Sequence, residues 1–346
     1  MLLLSPGTTL GWRRADAELT DVLEALGVTV SVVRSDMRVA RHFRRTMQLT
    51  DLAEAAAMRQ ALSRALRETD PGAIIYSTTQ ATMLQPGERL RGAAVRFDSL
   101  AAQNRPGRAN ALQHGLERRA LERAALLLPW GLDPALRVPE DMVGTSRVVA
   151  LPVSIAPVAP AAERERVAVA YAGNPDKKGL EIVAEAWRLA GAPAGRLVVT
   201  GIEAEAGRAY LRRHGLTEPP WTEWAGTMDE DEHRALIGRA EIYLSASRIE
   251  EYGLAQLEAL AAGALLVTTP SDGPYEALGL ARRLEPALVA AERTAAALAD
   301  ALRAASDLPG PERAEYRRRA TELVAPYSRE ELRRRLDDQV LPLLLP

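Results

Sequence analysis

The chain has 346 residues, 47% hydrophobic and 26% charged, with a formal net charge of −2; this is the composition of a folded protein of two domains or one large one, and it excludes a disordered or polybasic chain. No cysteine is present, which excludes disulfides, thiolate catalysis and cysteine-based metal sites, and the histidines His42, His114, His214 and His233 lack ligand spacing, so no metal is expected. The first apolar run is three leucines with no positive segment before it, too short for a signal peptide or a membrane span, and a cytoplasmic protein is expected.

Short apolar runs alternate with helical patterns along the chain, the order that builds parallel sheets. Strands are expected at 2–5, 28–33, 73–77, 93–97, 125–128 and 147–151. The stretch "SIAPVAPAAERER" follows, with Pro157 and Pro160 where neither strand nor helix accommodates them. A second series is expected at 167–172, 196–200, 222–225, 241–244 and 264–268. The pattern predicts an α/β protein of two doubly wound units: residues 1–155, a linker at 156–165, and residues 166–325. The remaining segment, 326–346, reads as a polar helix with an apolar tip that packs back toward the first unit. Doubly wound sheets bind ligands beyond the carboxyl ends of their strands, so the cleft between the units is the expected site.

Both lysines of the chain fall in "AGNPDKKGLE", residues 172–181, while every other basic side chain is arginine. Lysine is a compact ammonium on a flexible stem, suited to a crowded phosphate where the arginine fork is too broad. A second anion signal lies in "SASRIEEYGLAQLEALAAGALLVTTPSDGPYE", residues 245–276. Gly253 stands where a helix should start, leaving the amides of Gly253, Leu254 and Ala255 open to an anion at the positive end of the helix dipole. Leu254, Leu257, Leu260 and Ala261 are the expected buried stripe. Glu258 is expected on the flank, either taking paired hydroxyls or capping a neighbouring segment.

The run Glu250-x7-Glu258 enclosing Tyr252-Gly253-Leu254, followed by "LEALAAG" and "SDGPYE", resembles the signature of retaining GT-B glycosyltransferases of the family 4, or group 1, type. Gly173, Lys178 and Gly179 fit the same family's strand–glycine–lysine–glycine pattern. The resemblance is strong over about 165–280 and weak before it. It implies a GT-B fold, two Rossmann-like domains facing each other across a cleft, and transfer of a hexose-like sugar from a nucleotide-diphosphate sugar to an acceptor hydroxyl. Retention of configuration, no metal and no cofactor beyond the co-substrate are implied too. Lys178, Glu250 and Asp98 would be the catalytic residues. Lys178, Lys177, Asn174, Gly173, Gly253 and Leu254 would hold the donor diphosphate, Glu258 the ribose, and the region of Gly226 and Met228 the base. Glu250 would accept from hydroxyls of the transferred sugar. On the acceptor side stand Gly7, Thr8, Asn104 and Arg105.

Three positions depart from that pattern. Asn174 stands where the family has arginine, Phe97 where it has histidine before Asp98, and "SPGTTLG" is a sparse version of its glycine-rich loop. These departures keep alternatives open: a nucleotide-sugar-binding regulatory module without turnover, or an epimerase or phosphorylase of related fold. The Asp-x-Asp in "MDEDEH", residues 228–233, reads as a helix start favoured by the dipole. Residues 1–150 carry 20 basic and 16 acidic side chains against 24 and 30 in the remainder. Within the first part, Arg38, Arg41, Arg44 and Arg45 form either a solvated face or a peripheral contact for anionic lipid or an anionic acceptor. Aromatic interleaving is too sparse for nucleic-acid binding.

Overall fold

The computed structural model describes residues 1–7, 10–35, 47–104, 107–133, 138–158, 164–250, 252–273 and 275–345. The patch containing Arg38, Arg41, Arg44 and Arg45 lies outside these residues, as do Thr8 and Arg105. The chain forms two compact units, one made of Met1–Ser154 with Arg329–Pro346, the other of Ile155–Ser328.

The first unit is built on strands β1 (Leu2–Ser5), β2 (Ser31–Arg34), β3 (Ile74–Tyr76), β4 (Ala94–Phe97), β5 (Leu126–Pro129) and β6 (Arg147–Val148). They form one parallel sheet in the order β2-β1-β3-β4-β5-β6. Helices α1 (Leu10–Ala25), α2 (Met47–Glu68) and α3 (Ala111–Leu121) lie in the connections. The inner strands are apolar except for Arg96 in β4 and Ser5 at the end of β1, because a parallel sheet is covered on both faces. Alternate residues then feed opposite cores: Leu2, Leu4, Tyr76 and Val95 meet Met58 and Leu62 of α2, whereas Leu3, Ile75, Ala94 and Leu126 meet Leu19 and Leu23 of α1.

The second unit has strands β7 (Glu165–Tyr171), β8 (Arg196–Thr200), β9 (Thr222–Gly226), β10 (Ala240–Ser245) and β11 (Leu265–Thr268). They too are all parallel, in the order β11-β10-β7-β8-β9. Its helices are α4 (Leu180–Ala190), α5 (Ala204–Arg213), α6 (Glu230–Arg239), α7 (Leu254–Ala261), α8 (Glu276–Leu284), α9 (Ala295–Asp307) and α10 (Gly310–Val324). The chain then returns to the first unit as α11 (Arg329–Arg335), continued by a wider π turn at Leu336–Val340 and a last helical turn at Leu341–Leu344.

The expected strands are all present, with two differences at the edges of the first sheet. β2 starts at Ser31 rather than 28, and β6 keeps only Arg147 and Val148 of 147–151. Both are edge strands with largely exposed side chains, so the apolar run that marks a buried strand does not bound them. Ile155, expected as the last residue of the first unit, and the described part of the segment after it fall in the second unit: the Ile155 amide donates to the Tyr327 carbonyl at 2.9 Å, and Ile155 and Val158 are buried. Among the described residues no helix is long and apolar enough to cross a membrane.

Candidate functional site

In the second sheet the chain starts in the middle, at β7, and moves outward through β8 and β9 on one side and β10 and β11 on the other. The loops that leave β7 and β10 therefore diverge from neighbouring strands, and such a switch point opens a crevice at the carboxyl ends. The motifs singled out in the sequence fall on those two loops. After β7, Asn174 caps a single helical turn, Pro175–Lys178, by accepting the Lys177 amide at 3.0 Å. Gly179 ends that turn with φ +64°, and a Cβ there would sit 2.3 Å from the Ala246 carbonyl oxygen, so only glycine lets the two loops approach. The Arg248 amide donates to the Lys177 carbonyl at 2.8 Å, tying the second loop to the first.

This approach sets Lys178 Nζ 2.6 Å from Glu250 Oε2. The same oxygen accepts from Ser247 Oγ at 3.0 Å and from Gln256 Nε2 at 3.4 Å, and Gln256 also donates to Ser245 Oγ at 3.1 Å. Burial pushes the Glu250 carboxyl up, but the Lys178 ammonium, the bonds from Lys178 and Gln256, and the charge of Lys177 outweigh it and hold the group below the usual carboxylate range. Lys178 also lies 6.0 Å from the centre of the Tyr171 ring. That ring covers Gly173 and Gly201: a Cβ on either would fall within 2.6 Å of it.

Helix α7 begins at Leu254 behind Gly253, whose φ is +85°. The first amides of a helix have no intrahelical acceptor, and here they follow Glu250 by only a few residues. The helix is buried on more of its circumference than the expected stripe: Gln256, Leu257, Glu258, Ala259 and Leu260 are buried, whereas Leu254 and Ala261 are half-buried. Glu258 is thus not on an open flank. It is 5% exposed, and its Oε1 lies 3.8 Å from Arg234 Nε. Arg234 in turn pairs with Glu230 at 2.6 Å and Asp231 at 2.5 Å. His233, beside Tyr171 with ring centres 6.0 Å apart, is lowered in pKa by burial and by Arg234, against the opposing charge of Glu258.

Gly226 closes β9 with its carbonyl accepting the Gly201 amide at 2.7 Å, and Glu203 accepts the Thr227 amide at 3.1 Å; half-buried Met228 follows. Asp229 caps α6 in a capping box with Glu232 and Asp231 pairs with Arg234, so both acids of the Asp-x-Asp have structural partners. Among the described residues no cluster of three or more His, Asp or Glu is suited to a metal.

The second unit therefore brings Lys178, Glu250, Gly253 and Leu254 to one crevice. Ser247, Gln256, Tyr171, Arg234 and His233 are members of the same neighbourhood that the sequence did not reveal. Ser247 and Gln256 lie within six residues of Glu250, and only the backbone turn at Gly253 shows that they face it. In the first unit the corresponding switch point lies between β1 and β3. There Ser5 and Ser77, one at the end of each strand, donate to buried Asp16, whose pKa is raised by burial against these bonds and the charges of Arg96 and Arg34. Gly7 donates its amide to Ser5 Oγ at 3.1 Å. Fully buried Arg96 donates to the Ala15 carbonyl at 3.1 Å and lies 4.9 Å from the centre of the Trp130 ring. Phe97 is buried in the core. Asp98 follows it, half-buried, accepting from Ser99 Oγ at 3.1 Å, and Asn104 ends a short helix, Ala101–Asn104.

The Glycosyl transferases group 1 family matches residues 166–307. No curated protein sequence matches the chain. Among solved structures, sucrose-phosphate synthase from Thermosynechococcus elongatus is similar over 99% of this chain and 98% of its own, at TM-score 0.75 and 16% identity. WaaG, a glycosyltransferase involved in lipopolysaccharide biosynthesis, is similar over 98% of both chains at TM-score 0.68 and 14% identity. A UDP-forming α,α-trehalose-phosphate synthase from Burkholderia xenovorans matches 96% of this chain and 86% of its own, at TM-score 0.63 and 14% identity. Residues 166–307 are thus similar to the Glycosyl transferases group 1 family, and the two parallel-sheet units have the fold of GT-B glycosyltransferases.

Proposed function

We propose that the protein is a retaining glycosyltransferase that moves a hexose-like sugar from a nucleotide-diphosphate sugar to an acceptor hydroxyl, without a metal ion. The observation that carries this reading is the 2.6 Å pair between Lys178 and Glu250 at the switch point of the second sheet, beside the start of α7. The two groups suit the two ends of the bond that breaks. Lys178 and the Gly253–Leu254 amides neutralise charge growing on the leaving diphosphate, with Lys177 and the loop at Gly173 and Asn174 adjoining. Glu250 accepts from hydroxyls of the transferred sugar. Among the described residues its three side-chain hydrogen bonds all go to Oε2, and Oε1 is the oxygen offered to ligand. Glu258 takes the ribose hydroxyls, with Arg234 as its present counter-charge, and the base lies toward Gly226 and Met228. On entry the donor diphosphate replaces Glu250 as the partner of Lys178. In the first unit Asp98, with Gly7, Thr8, Asn104 and Arg105, serves the acceptor.

The test is to incubate the protein with UDP-, GDP- and ADP-sugars, with and without EDTA, and to follow nucleotide release. Release that is unaffected by EDTA is expected with one of them; failure to bind any at millimolar concentration would overturn the proposal. A binding module without turnover is the second reading, favoured by Asn174, whose side chain caps its own helical turn and supplies no charge where the resembling family has arginine. It predicts nucleotide binding with no transfer to any acceptor in cell extract.

A further inference from the structure

At the other end of the second sheet, the amino-terminal ends of its strands, a cavity of about 480 Å³ is lined by Arg164, Arg166, Arg313, Arg317, Glu241 and Ser306. Four guanidiniums thus face one carboxylate. Arg313 pairs with Glu241 and also donates to the Leu308 and Ser306 carbonyls, both at 2.6 Å. Arg164 donates to the carbonyls of Ala240 and Ala262, and Arg166 to that of Pro193 at 3.1 Å. The Arg317 side chain has no hydrogen-bond or ionic partner among the described residues, and its Nε is buried, as is the unpartnered Ser306 hydroxyl. The side chains converge: a Cβ on Gly263 would lie 3.1 Å from Arg164 and 3.4 Å from Arg317.

This arrangement costs stability as it stands. Burial and the charge of Arg317 push the Arg164 guanidinium down to about 10, and burial with the charges of Arg317 and Arg166 lowers Arg313. Bracing of carbonyls accounts for Arg164 and Arg313 but not for the half-buried Arg317 guanidinium, which has no partner among the described residues. Four guanidiniums converging on one carboxylate leave an excess of positive charge that an anion from solution would neutralise. Sulfate-sized and larger phosphate groups match the planar forks of converging arginines by paired hydrogen bonds, and the volume is within the range of small-ligand sites.

We propose that this cavity is a second anion site that takes the phosphate or pyrophosphate group of a small molecule. It is separated from Lys178 by the length of β7, roughly 20 Å at ~3.3 Å per residue. It is independent of the donor reading, and its ligand acts on the donor loops only through the strands that join the two ends.

The test measures the melting temperature during titration with inorganic phosphate, pyrophosphate or glycerol phosphate, against sodium chloride at equal ionic strength. All proteins carry Lys178→Ala, so diphosphate bound beside β7 and β10 does not contribute. A saturable rise of about 3 °C is expected at ligand concentrations some tenfold above Kd. The compound that saturates at the lowest concentration identifies the source of the phosphate group. Arg317→Met should abolish the rise while leaving the melting temperature in phosphate-free buffer unchanged or higher, because a repelling charge is removed. Arg166→Gln should weaken the rise at least tenfold in concentration, and serves if Arg317→Met does not fold. No rise beyond the chloride control, or a rise undiminished in both variants, would overturn the proposal.

Discussion

Lys178 and Glu250 are 72 positions apart in the chain and form one ion pair, so a change in either is felt by the other. Under the proposed mechanism Lys178→Ala removes a charged donor from the breaking bond, which costs on the order of 3 kcal/mol in the transition state, about two decades in kcat. It also strands the Glu250 carboxylate beside the incoming diphosphate, so KM should rise by a smaller factor. Lys178→Arg should recover only part of kcat, because the fork cannot reproduce the 2.6 Å point contact. Equal activity of Lys178→Arg and wild type, with Lys177→Arg inactive, would move the role to Lys177. Acid sensitivity follows from the depressed Glu250 group. A carboxyl whose folded value lies below its ordinary 4.5 contributes stability that is complete above that value and is lost as pH falls through the folded one. The share of fold stability that comes from Glu250 should therefore be flat from pH 5 to 8 and decline only as pH falls below the ordinary 4.5 toward the lowered folded value, a decline that Glu250→Gln should remove. Thermal denaturation across that range decides it.

At the scale of elements, what the sequence made legible was whatever is coded locally. Strands such as "VAVAYA" stand out because both faces are buried. The start of α6 at Asp229 is written in its own acids, and the start of α7 in Gly253. The position of Glu258 was not legible, because α7 is buried on nearly every side and a periodic pattern cannot reveal which neighbour covers a given turn. Arg234, its counter-charge, comes from α6, on the far side of β10 in the chain. The closeness of the β7 and β10 loops was equally hidden, since it depends on a sheet order that places β10 beside β7. That closeness is also a prediction about Gly179. Gly179→Ala combines a left-handed backbone with a Cβ 2.3 Å from the Ala246 carbonyl, so the variant must part the loops or strain them, at a cost of about 1–3 kcal/mol. Thermal denaturation should show a loss of several degrees, and nucleotide binding should fall with it. Gly191→Ala is the control, with the same sign of φ and nothing within 4 Å; it should bind nucleotide as wild type does.

At the scale of the whole molecule, the first unit is completed by the last residues of the chain. Leu332, Leu336, Val340 and Leu344 are buried among Leu3, Leu19, Leu23, Ile75, Leu126 and Leu151, and Arg335 donates to the Ala150 carbonyl at 3.0 Å. The sequence showed a polar helix with an apolar tip but not how that helix fits: the four buried positions are spaced four apart, a repeat that drifts around a 3.6-residue helix, and the wider π turn at Leu336–Val340 offsets that drift. Each buried side chain of this size contributes roughly 1.5–3 kcal/mol. The four together represent an upper estimate on the order of 10 kcal/mol, comparable to the whole stability of a domain. A chain ending at Ser328 retains every residue of the second unit and every group assigned to the donor. It should therefore still bind nucleotide, while its first unit loses cooperative unfolding and protection from amide exchange at β1, β3 and β5. Sugar transfer should vanish if, as proposed, the first unit serves the acceptor. If that shortened chain unfolds with both units protected as before, the terminal helix is an accessory to the first unit and not part of its core.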